Sequence, residues 1–310
     1  MAASPRIVSL LPSGTEILCA LGLADCLVGI SHECDYPPDI TDRPRLTTAK
    51  VLSRGNSQNL DQEIRGLLRQ GLSVYQIDTD MLRVLQPDVI VTQDHCEVCA
   101  VPYAEVLDAV HQVLGTHVDV VSLRPALLQD IWDDIRHVGE ITGRQRQADT
   151  LLEQLFTRVN AIVAESIMLQ QLPRVAVIEW IAPLILAGNW IPELIQIGGG
   201  SDGLCTPGEH SPTVAWQQLI EYAPEVLAII PCGYRLPQTL AELPLLQQQP
   251  AWETLPAVRQ GAVYAVDGNA YFNRPGPRIV ESLEILAGLL HPALFGEYLL
   301  AAGDVYQRIA

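Results

Sequence analysis

Two short loops concentrate the side chains able to do chemistry. Ser31-His32-Glu33-Cys34-Asp35-Tyr36 sets an imidazole, a thiol and two carboxylates side by side, and Asp94-His95-Cys96-Glu97-Val98-Cys99 repeats the same mixture further on. Imidazole and thiolate are ligands for zinc, for iron, or for the cobalt of a corrin ring. Cys96-x-x-Cys99 is half of a structural zinc site, which takes four ligands, so His32, Cys34, Cys96 and Cys99 are the candidate metal set if the two loops meet. Reduced thiols lining a loop, or a redox pair, are the other readings of the same spacing.

Each loop follows an apolar run with the pattern of a buried strand. Leu27–Ile30 leads into the first and Asp88–Thr92 into the second, the position at which open α/β sheets bind ligands. Around them short strands alternate with amphipathic segments. Ser13-x-x-Glu16 has the form of a capping box opening a helix. Helices are also predicted near 60–70, 80–86, 103–114 and 126–142, with a strand at 118–123. The chain is then crossed by a stretch with no glycine or proline, 145–172, whose Ala148, Leu151, Leu152, Leu155, Phe156, Val159, Ile162, Val163 and Ile167 recur at three- and four-residue steps. As one helix it would be roughly 40 Å long. The expected fold is α/β: two α/β lobes, 1–143 and 173–310, joined by one long rigid α-helix, 144–172, with a ligand cleft between the lobes.

The second lobe repeats the first in outline. Ala223-Pro224-Glu225-Val226-Leu227-Ala228 echoes Gln86-Pro87-Asp88-Val89-Ile90-Val91, which points to a weak internal duplication. Trp190, Tyr271 and Phe272 offer flat faces for a planar macrocycle. Arg274 can pair bidentately with a phosphate or propionate.

Composition excludes several classes. The formal charge is −17, with 10 basic against 20 acidic residues in 1–143, so neither nucleic acid nor an anionic membrane surface is an expected partner. Lys50 is the one lysine, and no Walker motif surrounds it. The apolar run from Ile7 is stopped by Pro12 and Gly14, and seven cysteines without regular spacing do not form a disulfide framework. As written, the sequence carries no export signal and no membrane-inserting segment, so a cytoplasmic monomer is expected. A trimmed chain or a misplaced start would instead make it periplasmic. No G-x-S-x-G, no H-E-x-x-H and no persuasive Ser, His and Asp set occurs, so binding is expected and not catalysis.

Pro12-Ser13-Gly14-Thr15-Glu16, the Ser31-to-Pro37 segment ending Asp-Tyr-Pro, the Pro87-Asp88 strand, and Arg274 to Arg278 before an amphipathic helix resemble, in order and spacing, the cobalamin-type substrate-binding proteins of ABC importers. The resemblance implies two lobes on a helical backbone and a cobalamin, related corrinoid or other metal chelate as ligand. Its contacts would come from the loop Glu33 to Tyr36, which includes Cys34, and from Gln93, Trp190, Tyr271, Phe272 and Arg274; the donors of the same loop add His32, and make His32 or Cys34 the expected axial ligand. It also implies an importer permease as partner, docked through one acid per lobe, at Asp80 and Asp202. The alternative is an intracellular protein handling metal or tetrapyrrole, with zinc or iron held directly by the His/Cys loops.

Overall fold

The computed structural model describes residues 4–51, 56–70, 72–94, 101–115 and 117–309. The chain is α/β and divides into two compact units. The first (Met1–Gly55, Asn59–Pro125, Gln129–Glu153) contains β1 (Ile7–Ser9), β2 (Leu27–Ile30), β3 (Thr47–Ala49), β4 (Tyr75–Ile77), β5 (Val89–Gln93) and β6 (Asp119–Leu123). Four of these form a parallel sheet in the order β2-β1-β5-β6, and β3 with β4 makes a small antiparallel ribbon. Strands covered on both faces need unbroken apolar runs, and Ile7, Val8, Ile90 and Val91 are fully buried.

The second unit (Asn56–Gln58, Ala126–Leu128, Gln154–Ala310) carries β7 (Val175–Trp180), β8 (Ile185–Leu186), β9 (Val226–Ile229), β10 (Val263–Val266) and β11 (Tyr306–Arg308). Their order is β11-β10-β9-β7-β8; the three central strands are parallel and both edge strands antiparallel. In each unit the parallel strands bring the loops at their carboxyl ends to one edge of the sheet.

The sequence echo has an atomic counterpart. Gln86 and Ala223 each end a helix in the left-handed conformation, at φ 44° and 53°, and each is followed by proline, an acid and a strand. Asp88 accepts the Arg6 N–H through its carboxylate at 2.8 Å and returns its own N–H to the Arg6 carbonyl at 2.8 Å. Glu225 does the same with Arg174, at 3.0 and 2.7 Å. The two arginine side chains then reach the helix ends, Arg6 Nε the Leu85 carbonyl and Arg174 Nε the Ala223 carbonyl. Each first strand is thus clasped to the helix end and acid that precede the next strand of its sheet. An alanine in the left-handed region is strained where glycine is not, so Ala223→Gly is expected to stabilise by about 1 kcal/mol. In a thermal melt this reads as a midpoint higher by about 2–4 °C.

Local predictions differ from the structure in four places. Ser13 does not cap its helix: the helix runs Pro12–Ala20 from an N-cap at Leu11 that makes no side-chain cap bond. Proline's fixed φ and missing N–H suit the first helical turn, and they move the start two residues earlier. The long helix is Gln145–Ser166, about 33 Å at 1.5 Å per residue, and stops before 172. Its stripe is buried at Ala148, Leu152, Leu155 and Ile162, whereas Ile167 and Met168 lie open. The Ser166 hydroxyl donates to the carbonyls of Ile162 and Ile197, both at 2.7 Å, and the chain turns there although its apolar period continues. A helix at Leu236–Gln247 encloses Pro244, the residue that hides it from a reading by pattern. Finally, the tail forms β11 after a helix over Pro292–Ala302. Among the described residues no helix is long and apolar enough to cross a membrane.

Candidate functional site

In the first unit the loop after β2 is built around Thr47. Its Oγ1 accepts the His32 backbone N–H at 3.0 Å, lies 2.7 Å from His32 Nδ1, and donates to Ser31 Oγ at 3.0 Å. With its one hydroxyl proton spent on Ser31, Thr47 accepts from Nδ1–H, so the neutral ring carries its proton on Nδ1. Burial, and after it the Arg45 charge, holds His32 below its ordinary pKa, so the imidazole is neutral at pH 7. Arg45 Nη1 donates to the carbonyls of Ser31, His32 and Cys34 at 3.2, 2.7 and 3.4 Å and props the loop from beneath. Tyr75 packs against the imidazole with ring centroids 5.5 Å apart and donates its hydroxyl to Glu33 Oε1 at 3.2 Å.

The remaining first-unit candidates part company with this group. Cys34 is wholly buried, with Sγ 3.1 Å from Thr15 Oγ1, so its thiol packs into the core and does not face a ligand. Tyr36 is 42% exposed. Gln93 closes β5 and is buried, and beyond it Asp94 pairs with Arg124 at 2.6 Å. Cys96 and Cys99, with His95, lie outside the described residues. Among the described residues no group of three or more His, Cys, Asp and Glu is arranged to hold a metal ion.

In the second unit the carboxyl ends of β7, β9 and β10 carry Glu179, the 230–234 turn and the 267–276 loop. Glu179 accepts from the Ser211 hydroxyl, and burial raises its pKa. Asp267 Oδ1 takes the N–H groups of Asn269 and Ala270 at 3.0 and 2.8 Å and fixes the start of the loop. Asn273 Nδ2 ties the loop to the Ile230 and Gly268 carbonyls at 3.0 and 2.9 Å. Phe272 sits at φ 68° with its ring fully buried, its N–H on Ser282 Oγ and its carbonyl on Trp190 Nε1 at 2.9 Å. Trp190 is buried as well, and Arg278 covers the Tyr271 ring at 4.7 Å. The stacking surface expected of Trp190 and Phe272 is therefore spent inside the second unit, where these rings hold the 267–276 loop. Arg274 is 6% exposed. A cavity of about 250 Å³ lined by Ile181, Pro183, Leu184, Val214, Trp216 and Leu246 contains none of the residues singled out in the sequence.

The two acids expected on the docking face differ in state. The Asp80 side chain is 89% exposed and pairs with Arg83 at 2.6 Å. Asp202 accepts the N–H groups of Leu204 and Cys205 at 2.8 and 3.1 Å, which makes it the anchor of a turn, and burial raises its pKa. The sequence reading passed over Thr47, Arg45 and Tyr75. They lie on or beside three-residue strands too short to leave a period, so only the polar loop they support was visible.

The periplasmic binding protein family matches residues 7–270, most of the chain. The chain belongs to that family. Similar proteins extend the match. An uncharacterized ABC transporter substrate-binding lipoprotein of Bacillus subtilis is 21% identical over 298 residues, 94% of this chain and 82% of its own. Among solved structures, the periplasmic vitamin B12 binding protein BtuF of Vibrio cholerae aligns with a TM-score of 0.67 at 22% identity, covering 94% of this chain and 98% of its own. The periplasmic heme-binding protein RhuT of Roseiflexus sp. RS-1 aligns at 0.69 and 21%, covering 94% and 99%. These structural likenesses establish the fold: this periplasmic binding protein has the two-unit α/β architecture of that class. Membership also overturns the cytoplasmic placement expected from the sequence as written, because the family is that of periplasmic binding proteins and the Bacillus relative is a lipoprotein.

Proposed function

We propose that this periplasmic binding protein is the substrate-binding component of an ABC importer and that its ligand is a corrinoid, cobalamin or a close relative. The observation carrying the reading is the His32 loop at the carboxyl end of β2: a neutral imidazole fixed through Nδ1, flanked by Glu33 and an exposed Tyr36. A metal at the centre of a planar macrocycle is what vitamin B12 and heme, bound by the two structural relatives, have in common. Apolar and polar contacts from His32, Glu33 and Tyr36 make up the proposed contact set of the first unit. The permease is proposed to meet the exposed Asp80. No catalytic step is assigned.

Titration with cobalamin, followed in the visible corrin bands, is expected to give saturable one-to-one binding with a perturbed spectrum. Haemin in parallel tests the class: tighter binding of haemin than of any corrinoid would replace the corrinoid by a haem, and no response to either would end the metal-chelate reading.

A further inference from the structure

A histidine that ligates a metal from within a protein needs a partner that fixes the ring through one nitrogen and leaves the other to the metal. His32 has that arrangement. Thr47 holds Nδ1 at 2.7 Å and also anchors the residue's own N–H at 3.0 Å, so ring and backbone hang from one hydroxyl. Thr47 is itself immobilised, buried and paired in β3 opposite Ile77 of β4. Ser31 Oγ completes the chain by accepting from Thr47 and from the Glu33 N–H at 3.3 Å. In this tautomer Nε2 bears no proton and makes no hydrogen bond among the described residues. Glu33 Oε1 lies 4.0 Å from Nε2 and accepts the Tyr75 hydroxyl at 3.2 Å. The side chain is 26% exposed, and the thiol of Cys34, the other soft donor of the loop, is buried.

Resting on the corrinoid reading above, we propose that His32 Nε2 is an axial ligand to the cobalt, positioned by Thr47, and that the protein consequently selects corrinoids with an exchangeable axial position over those capped on both faces. The step is a ligand exchange. The Nε2 lone pair forms the Co–N bond as a Co–water bond breaks, the water leaves, the cobalt stays trivalent, and no proton or electron is transferred. Cyanide on both faces opposes the exchange because it holds cobalt(III) far more tightly than water does.

The test compares diaquacobinamide with dicyanocobinamide on the full chain and on His32→Ala, His32→Gln and Thr47→Val. The native chain is expected to bind the diaqua form at least about 10-fold more tightly, with the band shift of imidazole coordination. Both histidine variants should lose that shift and bring the affinity ratio toward one. Thr47→Val, which retains the imidazole but not its partner, should weaken binding of the diaqua form by about 10-fold and bring the ratio toward one. Equal native affinities for the two forms, or a coordination shift that survives in His32→Ala, overturns the axial-ligand assignment while leaving corrinoid binding intact. Failure of the native chain to bind either cobinamide or cobalamin overturns both.

Discussion

Gly268→Ala will lower the thermal midpoint by about 8–15 °C, the equivalent of about 3–5 kcal/mol in a unit of this size. A Cβ at this position would meet the Pro231 carbonyl oxygen, and it would lie 2.5 Å from the Ile230 oxygen and 2.7 Å from the Ile230 carbonyl carbon. All three are backbone atoms at the end of β9, so no rotamer change relieves the clash. Moving the loop instead breaks the Asn273 bonds to Ile230 and Gly268, which hold the segment carrying Tyr271 to Arg274. Gly233→Ala is the control. Gly233 has φ +75° but nothing within 4 Å of the new atom, so only backbone strain of about 1 kcal/mol is added. Calorimetry of the two variants separates the causes; equal losses would mean that close approach to Ile230 and Pro231 is not what requires glycine at 268.

The other large effect depends on pH. Asp134, on the helix Leu128–Ile141, is pushed up to about 7, first by burial and then by Asp130, with the Arg124 N–H opposing. Its Oδ2 is buried without a hydrogen-bond partner among the described residues. In the unfolded chain the same carboxyl ionises near 3.8. Between those values the unfolded state has released its proton and the folded state still holds it. Stability contributed by the neutral acid is therefore complete below the lower value and is lost as pH rises toward the upper one, at about 1.4 kcal/mol per unit. Asp134→Asn keeps an acceptor for Arg124 and cannot ionise. It should be more stable than the native chain by about 2–4 kcal/mol at pH 8, with the advantage gone near pH 4. Urea unfolding of both proteins at the two pH values measures the difference directly, and a gain independent of pH would assign it to packing.

Much of this was legible in the residues. Buried runs such as Val89-Ile90-Val91 and Val226-Leu227-Ala228 announce strands because a parallel strand covered on both faces favours apolar residues along its whole length. The Gln86-Pro87-Asp88 and Ala223-Pro224-Glu225 echo was visible, yet its clasps were not, since Arg6 and Arg174 are remote in sequence from the acids they hold. The His32 loop stood out through its density of donors. What selects among those donors is tertiary: Cys34 is turned onto Thr15, whereas the imidazole is tied to Thr47, and neither fact follows from adjacency. The aromatic pair misled for the same reason. Trp190 and Phe272 join across 82 residues of chain, and a ring at such a junction is consumed by packing before it can meet a ligand.

The borders of the second sheet have a consequence for how the protein behaves at high concentration. A strand at a sheet margin exposes unpaired N–H and C=O groups, and it recruits foreign strands in proportion to its length and flatness. Here the long parallel core β10-β9-β7 never reaches a margin. One side ends in Ile185–Leu186, whose outer groups pair with the 212–214 segment, and the other in Tyr306–Arg308; both strands are antiparallel, the first beside a register irregularity in β7 and the second carrying an arginine. Two or three residues are too few to template an intermolecular ladder. Resistance to amyloid-like association is thus written into the sheet itself, and it should persist at salt concentrations that screen the −17 net charge.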